Sequence, residues 1–221
     1  MLAIAKGEII ALTDAECEVS PDWLSQIYEG LRGATAAAAM GKKSFPAQSS
    51  SALKVFQDYE NVKLEYLLTC AMKAYYFGCA DNIAFKAHLF KDLDGFREEP
   101  WMMGDSEMVQ RLVSKYPGSE IVYLPRTEIN HLEIVSVWTW MGKLYHYGQY
   151  NRYVKMADNG YKELGVKERL GIFRCLIRTK RYSFGKSLWA ILVLMAGSFF
   201  YMAGQAKSFS LAFLNPGNHG R

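Results

Sequence analysis

The chain has 221 residues, half of them hydrophobic and 22% charged, which suits a domain with a real core and excludes disordered and low-complexity classes. Its net charge of +4 is unevenly placed: residues 1–166 hold 17 Lys/Arg against 21 Asp/Glu, and residues 167–221 hold 9 against 1. Positive charge gathered in one terminal block argues against a nucleic-acid partner.

The opening MLAIAKGEIIAL does not read as a signal peptide, because Lys6 and Glu8 interrupt it. Glu8 to Thr13 reads as a short buried strand ending at Asp14. Ser20 and Pro21 suit a helix start, with Trp23, Leu24, Ile27 and Leu31 at helical spacing behind them. Ala34 to Met40 suits a strand or a helix, and Gly41 to Ala52 reads as a loop. A long aromatic helix is expected over Val55 to Phe77, then a turn and strand over Gly78 to Phe85, and a brief helix up to the Asp94–Gly95 turn. Asp105 to Tyr116 predicts a helix with Met108, Leu112 and Val113 on one face, stopped by Pro117–Gly118 and followed by a strand over Glu120 to Leu124. Alternating strands and helices argue an α/β fold with one mostly parallel sheet. Cysteines 17, 70, 79 and 175 show no metal-like or disulfide-like spacing and read as small buried hydrophobes in a reducing compartment.

Between Lys186 and Lys207 lie 20 residues without charge, about 30 Å of helix and near the thickness of a bilayer core. Seven basic residues from Lys167 to Lys186 precede it, so the positive-inside bias places that side, with the body before it, in the cytoplasm. Ser187, Ser198 and Gln205 weaken the segment as a span, and an interfacial helix or a soluble core helix stays open beside a transmembrane one. The expected organisation is a catalytic body over 1–134, an aromatic and basic juxtamembrane region over 135–186, a membrane helix over 187–206 and a tail over 207–221.

Asp14 and Glu16 follow the first strand at a spacing that, on an extended backbone, projects both carboxylates to one side. Paired acids at a strand end suit Mg²⁺ or Mn²⁺ with substrate phosphates, and equally describe a solvated turn. In WMMGDSEMVQRL, Asp105 is a candidate general base near apolar Trp101, Met102 and Met103, or simply a helix N-cap. Arg111 is placed to pair with an acid or a phosphate. His131, after YLPRTEIN, is a metal ligand or a structural histidine.

Taken in order, AKGEIIALTDAECEVSPDWL, GCADNIAFKAHLFKDLDGF, GDSEMVQRL and YLPRTEINH resemble the family 2 glycosyltransferases of GT-A fold, over about Ala5 to His131. The resemblance implies a GT-A, Rossmann-like mixed sheet flanked by helices, followed by a membrane-associated helix. It implies that Asp14 and Glu16 bind the metal and the sugar nucleotide, that Arg111 aids cofactor binding, and that His131 lies near the metal. Asp105 would be the catalytic base of an inverting transfer, and Trp101 would stack on the acceptor sugar. The implied partners are a nucleotide-sugar donor, a saccharide or lipid-linked acceptor as in polysaccharide biosynthesis, and a membrane. Three positions depart from the pattern: Glu16 stands where Asp is usual, Gly104 where an acid is frequent, and Asp94 in place of a turn glycine. Family members also carry several nucleotide-binding strands ahead of the first motif, so the chain is expected to be the C-terminal part of such an enzyme. The competing expectation is an inactive, membrane-anchored sugar-binding or assembly module derived from one.

Overall fold

The computed structural model describes residues 5–46, 50–98, 102–156 and 161–214. Its elements run β1 (Ile9–Leu12), β2 (Cys17–Val19), α1 (Trp23–Gly30), β3 (Ala36–Ser44), α2 (Ser51–Thr69), β4 (Ile83–Lys86), α3 (Ala87–Asp92), α4 (Gly104–Lys115), β5 (Glu120–His131), α5 (Val137–Met156), α6 (Val166–Lys180) and α7 (Phe184–Leu214).

The five strands form a sheet in the order β1-β4-β3-β5-β2. Only β3 and β5 pair in parallel; the other three pairings are antiparallel, so the sheet is mixed rather than mostly parallel. The alanine run is therefore a strand. Alternation along β4 shows how the sheet splits its faces: Ile83 and Phe85 enter one core, and Ala84 enters the other. The first core packs Met40 and Phe85 against Leu64 and Leu67 of α2, Phe90 of α3, and Met108 and Leu112 of α4. The second closes α1 through Trp23, Ile27 and Leu31 onto Ala36, Ala39 and Ile129. Each such large side chain contributes about 1.5–3 kcal/mol on burial.

Several boundaries differ from expectation for local reasons. Helix α1 starts at Trp23, because Ser20 and Pro21 form a turn in which the Trp23 N–H donates to the Ser20 carbonyl at 3.0 Å; Leu24 then points to solvent. Strand β3 continues to Ser44 through Lys42 and Lys43, where a loop was expected. Asn61 on α2 brackets that continuation, accepting from the Lys43 N–H at 3.0 Å and donating to its carbonyl at 2.7 Å. Helix α2 begins at Ser51, with Ser50 as its N-cap, and ends at Thr69, before Ala71 turns left-handed. The Asp94–Gly95 turn has positive φ at both residues. All four cysteines are free, and of them only Cys79 is buried.

Helices α5, α6 and α7 build a third core on the N-terminal half of α2, joining Phe56 to Trp140, Ile172, Leu176 and Val193. The buried polar residues of α2 serve the same joint: the Asp58 carboxylate accepts from the Tyr182 hydroxyl at 2.7 Å and pairs with Lys180 at 2.9 Å. Helix α7 is longer than the uncharged stretch. An 18-residue window within Phe184–Ser208 has mean hydropathy 1.7, and 22% of that window is buried, so the helix is long and apolar enough to cross a membrane. Of its exposed large side chains, Leu188, Leu192, Met195, Phe199 and Met202 lie three or four residues apart and form a stripe, flanked by Trp189 and Ile191.

Helices α5 and α7 cross backbone to backbone. A Cβ added at Gly148 would fall 2.0 Å from the Tyr201 carbonyl oxygen, and one at Gly204 would fall 1.9 Å from that of Tyr145. Gly148→Ala or Gly204→Ala is expected to destabilise the protein by about 1–3 kcal/mol, seen as a lower Tm in detergent. Gly142→Ala, with nothing within 4 Å of its added Cβ, is expected to raise stability by about 0.5–1 kcal/mol in the same measurement.

Candidate active site

The site is built where β1, β2, β5 and the 78–82 segment converge. After β1 the chain turns at Ala15–Glu16, the Cys17 N–H donating to the Asp14 carbonyl at 3.1 Å. Strand β2 then pairs antiparallel to β5, setting Cys17 opposite His131. The Asp14 and Glu16 carboxylates are thus parted by a turn rather than aligned on an extended strand. They fall in two sets that share His131: Asp14 with Cys17, and Glu16 with Glu133, the ligand atoms of each set lying within 4.8 Å of one another.

Asp105 lies in the first turn of α4, behind Met103, whose φ of 66° is left-handed. Its Oδ2 accepts from the Ala80 N–H at 3.0 Å and its Oδ1 from the Ser106 N–H at 2.7 Å, while the Gly78 N–H donates to Ser106 Oγ at 3.1 Å. Gly78 makes this cradle possible, since a Cβ there would sit 2.4 Å from the Asp105 carbonyl carbon. Burial pushes the Asp105 carboxyl above the ordinary range, against the two backbone N–H donors that favour its charged form.

A cavity of about 590 Å³ joins Asp105 to Asp14 and His131, while Glu16, Cys17 and Glu133 do not line it. Asp14, Asp105 and His131 line it together with Lys43, Asp81 and Lys143, which the sequence reading passed over. Lys43 forms an ion pair with Asp81; burial opposes its charge, but the adjoining carboxylate outweighs this and holds the ammonium protonated well above the usual lysine range. Asp14 is raised by burial and then by the Asp81 and Glu16 charges. His131 is lowered by burial and by Lys143 and Lys43, which keeps its imidazole neutral. Lys143 lies 3.5 Å from His131 Nε2 and 2.8 Å from Glu133.

The donor set fits a hard divalent cation. His131 Nδ1 and Asp81 Oδ1 are buried without a hydrogen-bond partner, and oxygen and imidazole ligands suit Mg²⁺ or Mn²⁺. Cys17 suits it less, since burial pushes its thiol up to about 11 and keeps it protonated.

Arg111 does not join the cavity. Its Nε donates to both Glu107 oxygens, at 2.7 and 2.9 Å, and its terminal nitrogens donate to the carbonyls of Leu93 and Gly95. It locks α4 to the turn after α3 and neutralises the fully buried Glu107, so the cofactor-binding expectation for it is not carried further. The i,i+4 spacing of Glu107 and Arg111 was the signal for this role. Trp101 lies outside the described residues. Gly104 faces open space, with nothing within 4 Å of an added Cβ.

No protein-family model matches the chain, and no curated protein matches it. In fold it is similar to the mannosyltransferase PcManGT from Pyrobaculum calidifontis, solved in complex with GDP-Man and Mn²⁺, with a TM-score of 0.52 and 18% identity over 97% of this chain and 58% of that one. The chain thus spans little more than half the length of that neighbour. The likeness shows the fold: a mixed sheet flanked by helices, which in this chain is followed by an apolar C-terminal helix.

Arg111→Ala is expected to cost about 3–5 kcal/mol, because it leaves the Glu107 carboxylate buried and short of its main partner. Denaturant unfolding measures this. Arg111→Lys, with charge but no fork, should restore only part of the loss.

Proposed function

We propose that this chain is the catalytic body of an inverting glycosyltransferase of the family 2 type, moving a sugar from a nucleotide-sugar donor to a saccharide or lipid-linked acceptor. The observation that carries the reading is the placement of Asp105 in one cavity with Asp14, Asp81 and His131: a buried base beside a crowd of acids that calls for a cation. The fold neighbour's bound GDP-Man and Mn²⁺ support the same chemistry by analogy.

In this reading the acceptor hydroxyl oxygen attacks the anomeric carbon from the face opposite the leaving group. A new C–O bond forms, the anomeric C–O bond to the diphosphate breaks, and its electron pair leaves with the nucleoside diphosphate. Asp105 takes the hydroxyl proton, and its raised pKa makes it the stronger base. Asp14, Glu16 and His131 would hold the divalent cation, which supplies charge neutralisation for the diphosphate. Lys43 orients Asp81, while Lys143 borders the same space. Trp101 is retained as the proposed acceptor-stacking residue. The exposed stripe of α7 faces a membrane, by a span or along its surface, with the basic block of α6 and the body on the cytoplasmic side. An inactive sugar-binding module is the second reading, favoured by Gly104 standing where an acid neighbour of the base is frequent.

Asp105→Asn is expected to lower kcat by about 10²–10⁴-fold with donor affinity retained, and chelation of divalent cations should abolish turnover. The acidic limb of kcat/KM should fall as Asp105 protonates, with a midpoint above the ordinary carboxylate value of about 3.9. Equal turnover by Asp105→Asn removes Asp105 as the base, and no turnover by either form, each assayed with the upstream nucleotide-binding strands restored, favours the binding module.

A further inference from the structure

We propose that the acceptor is an amphiphile: its hydroxyl-bearing head sits at Asp105 and its hydrocarbon chain lies in the apolar limb of the same cavity, between α6 and α7. The inference rests on the transfer reading above and names the class of acceptor that the site takes.

The cavity does not end at the acids. It continues past Trp140 and Leu144 to Phe173 on α6 and to Leu194 and Ser198 on α7. Its far end is bordered by Val166, Leu170, Ile191 and Met195, which are apolar and also solvent-exposed. Met195 belongs at once to this mouth and to the exposed stripe of α7, so the cavity opens onto a helix long and apolar enough to cross a membrane. The cavity is lined mostly by apolar groups, with Lys162, Glu163 and Arg169 also on its border, and hydrocarbon covers the apolar walls at less cost than sugar hydroxyls would. One buried donor stands midway: Trp140 Nε1 has no hydrogen-bond partner and borders the cavity, where an oxygen at the junction of head and chain would accept from it. A volume of about 590 Å³ is in the range of pockets that enclose a small ligand, which suits the head and the first part of a chain, the remainder passing out through the mouth into lipid.

The test uses the full chain in lipid nanodiscs and a decyl glucoside carrying a diazirine in its alkyl chain. After irradiation, adducts are expected in the peptides holding Phe173, Leu194 and Ser198, and excess dodecyl maltoside should compete where free glucose does not. Leu170→Glu with Met195→Glu should lower adduct yield about tenfold, since a carboxylate at the mouth opposes entry of hydrocarbon. Leu170→Glu alone, on α6, gives the same direction where the double variant fails to fold. Adducts confined to the outer stripe of α7, or cavity adducts unaffected by either variant, overturn the proposal, as does a free saccharide accepted as readily as the alkyl glucoside. Release of nucleoside diphosphate from the donor in the presence of the alkyl glucoside reads the transfer reaction separately: its absence with adducts confined to the cavity removes the enzymatic reading and upholds lipid occupancy.

Discussion

The side chain of Asn82 closes the wider of two breaks in the β3–β5 ladder on which the site is hung. Strand β5 leaves register with β3 between Leu124 and Glu128, three residues bulging out where β3 advances by one. Pro125 lacks the N–H that an unbroken ladder would need there. Asn82 fills the gap, donating to the carbonyls of Lys42 and Thr127 at 2.9 Å each and accepting from the Trp23 indole at 2.9 Å. Gly41 admits it, since a Cβ at that position would lie 2.3 Å from the Asn82 amide nitrogen. Beyond the bulge β5 regains its pairing and runs to His131, and Asp81, one residue before the plug, reaches Lys43, one residue past the gap. Remove the amide and three buried polar groups lose partners together, at about 1–3 kcal/mol for each.

What the bulge delivers is electrostatically costly. Asp14, Asp81 and Asp105 share a cavity with Lys43 and Lys143, among other charged groups, and Lys143 is already engaged by Glu133. The raised pKa values of Asp14 and Asp105 record how poorly the folded chain alone accommodates these charges. Such crowding destabilises the fold, and it persists where a cation and a charged ligand resolve it in the working state. The left-handed Met103 at the start of α4 stores strain at the same place.

Local signals made part of this legible from sequence. Strand β1, the Asp94–Gly95 turn and the buried face of α4 follow from apolar runs, turn chemistry and helical period. Asp14, Asp105 and His131 were found because each sits at the end of such an element. Non-local bonding hid the rest. Lys42 and Lys43 look like loop residues until Asn61 and β5 satisfy their backbone, and Pro125 looks like a strand end until the pairing resumes after it. Asp81 was concealed in the small-residue segment GCADN, whose compactness lets it lie against Asp105. Arg111 is ambiguous in sequence because an arginine near acids suits a phosphate as well as it suits Glu107, to which it is bonded here.

Helix α2 makes a single object of the sheet and the C-terminal helices. Its later turns pack Leu64 and Leu67 into the sheet core, and its early turns pack Leu53 and Phe56 against α5, α6 and α7. Gln57, Asp58 and Asn61 bond, in turn, to the chain after β3, to the end of α6 and to β3 itself. A helix bonded on both sides cannot shift toward one layer without straining the other, so the acids and the apolar stripe of α7 are held at a fixed separation. Asp14, Asp81 and Asp105 meet Lys43 and Lys143 in the cavity, while the basic residues of α6 precede the apolar helix α7 along the chain.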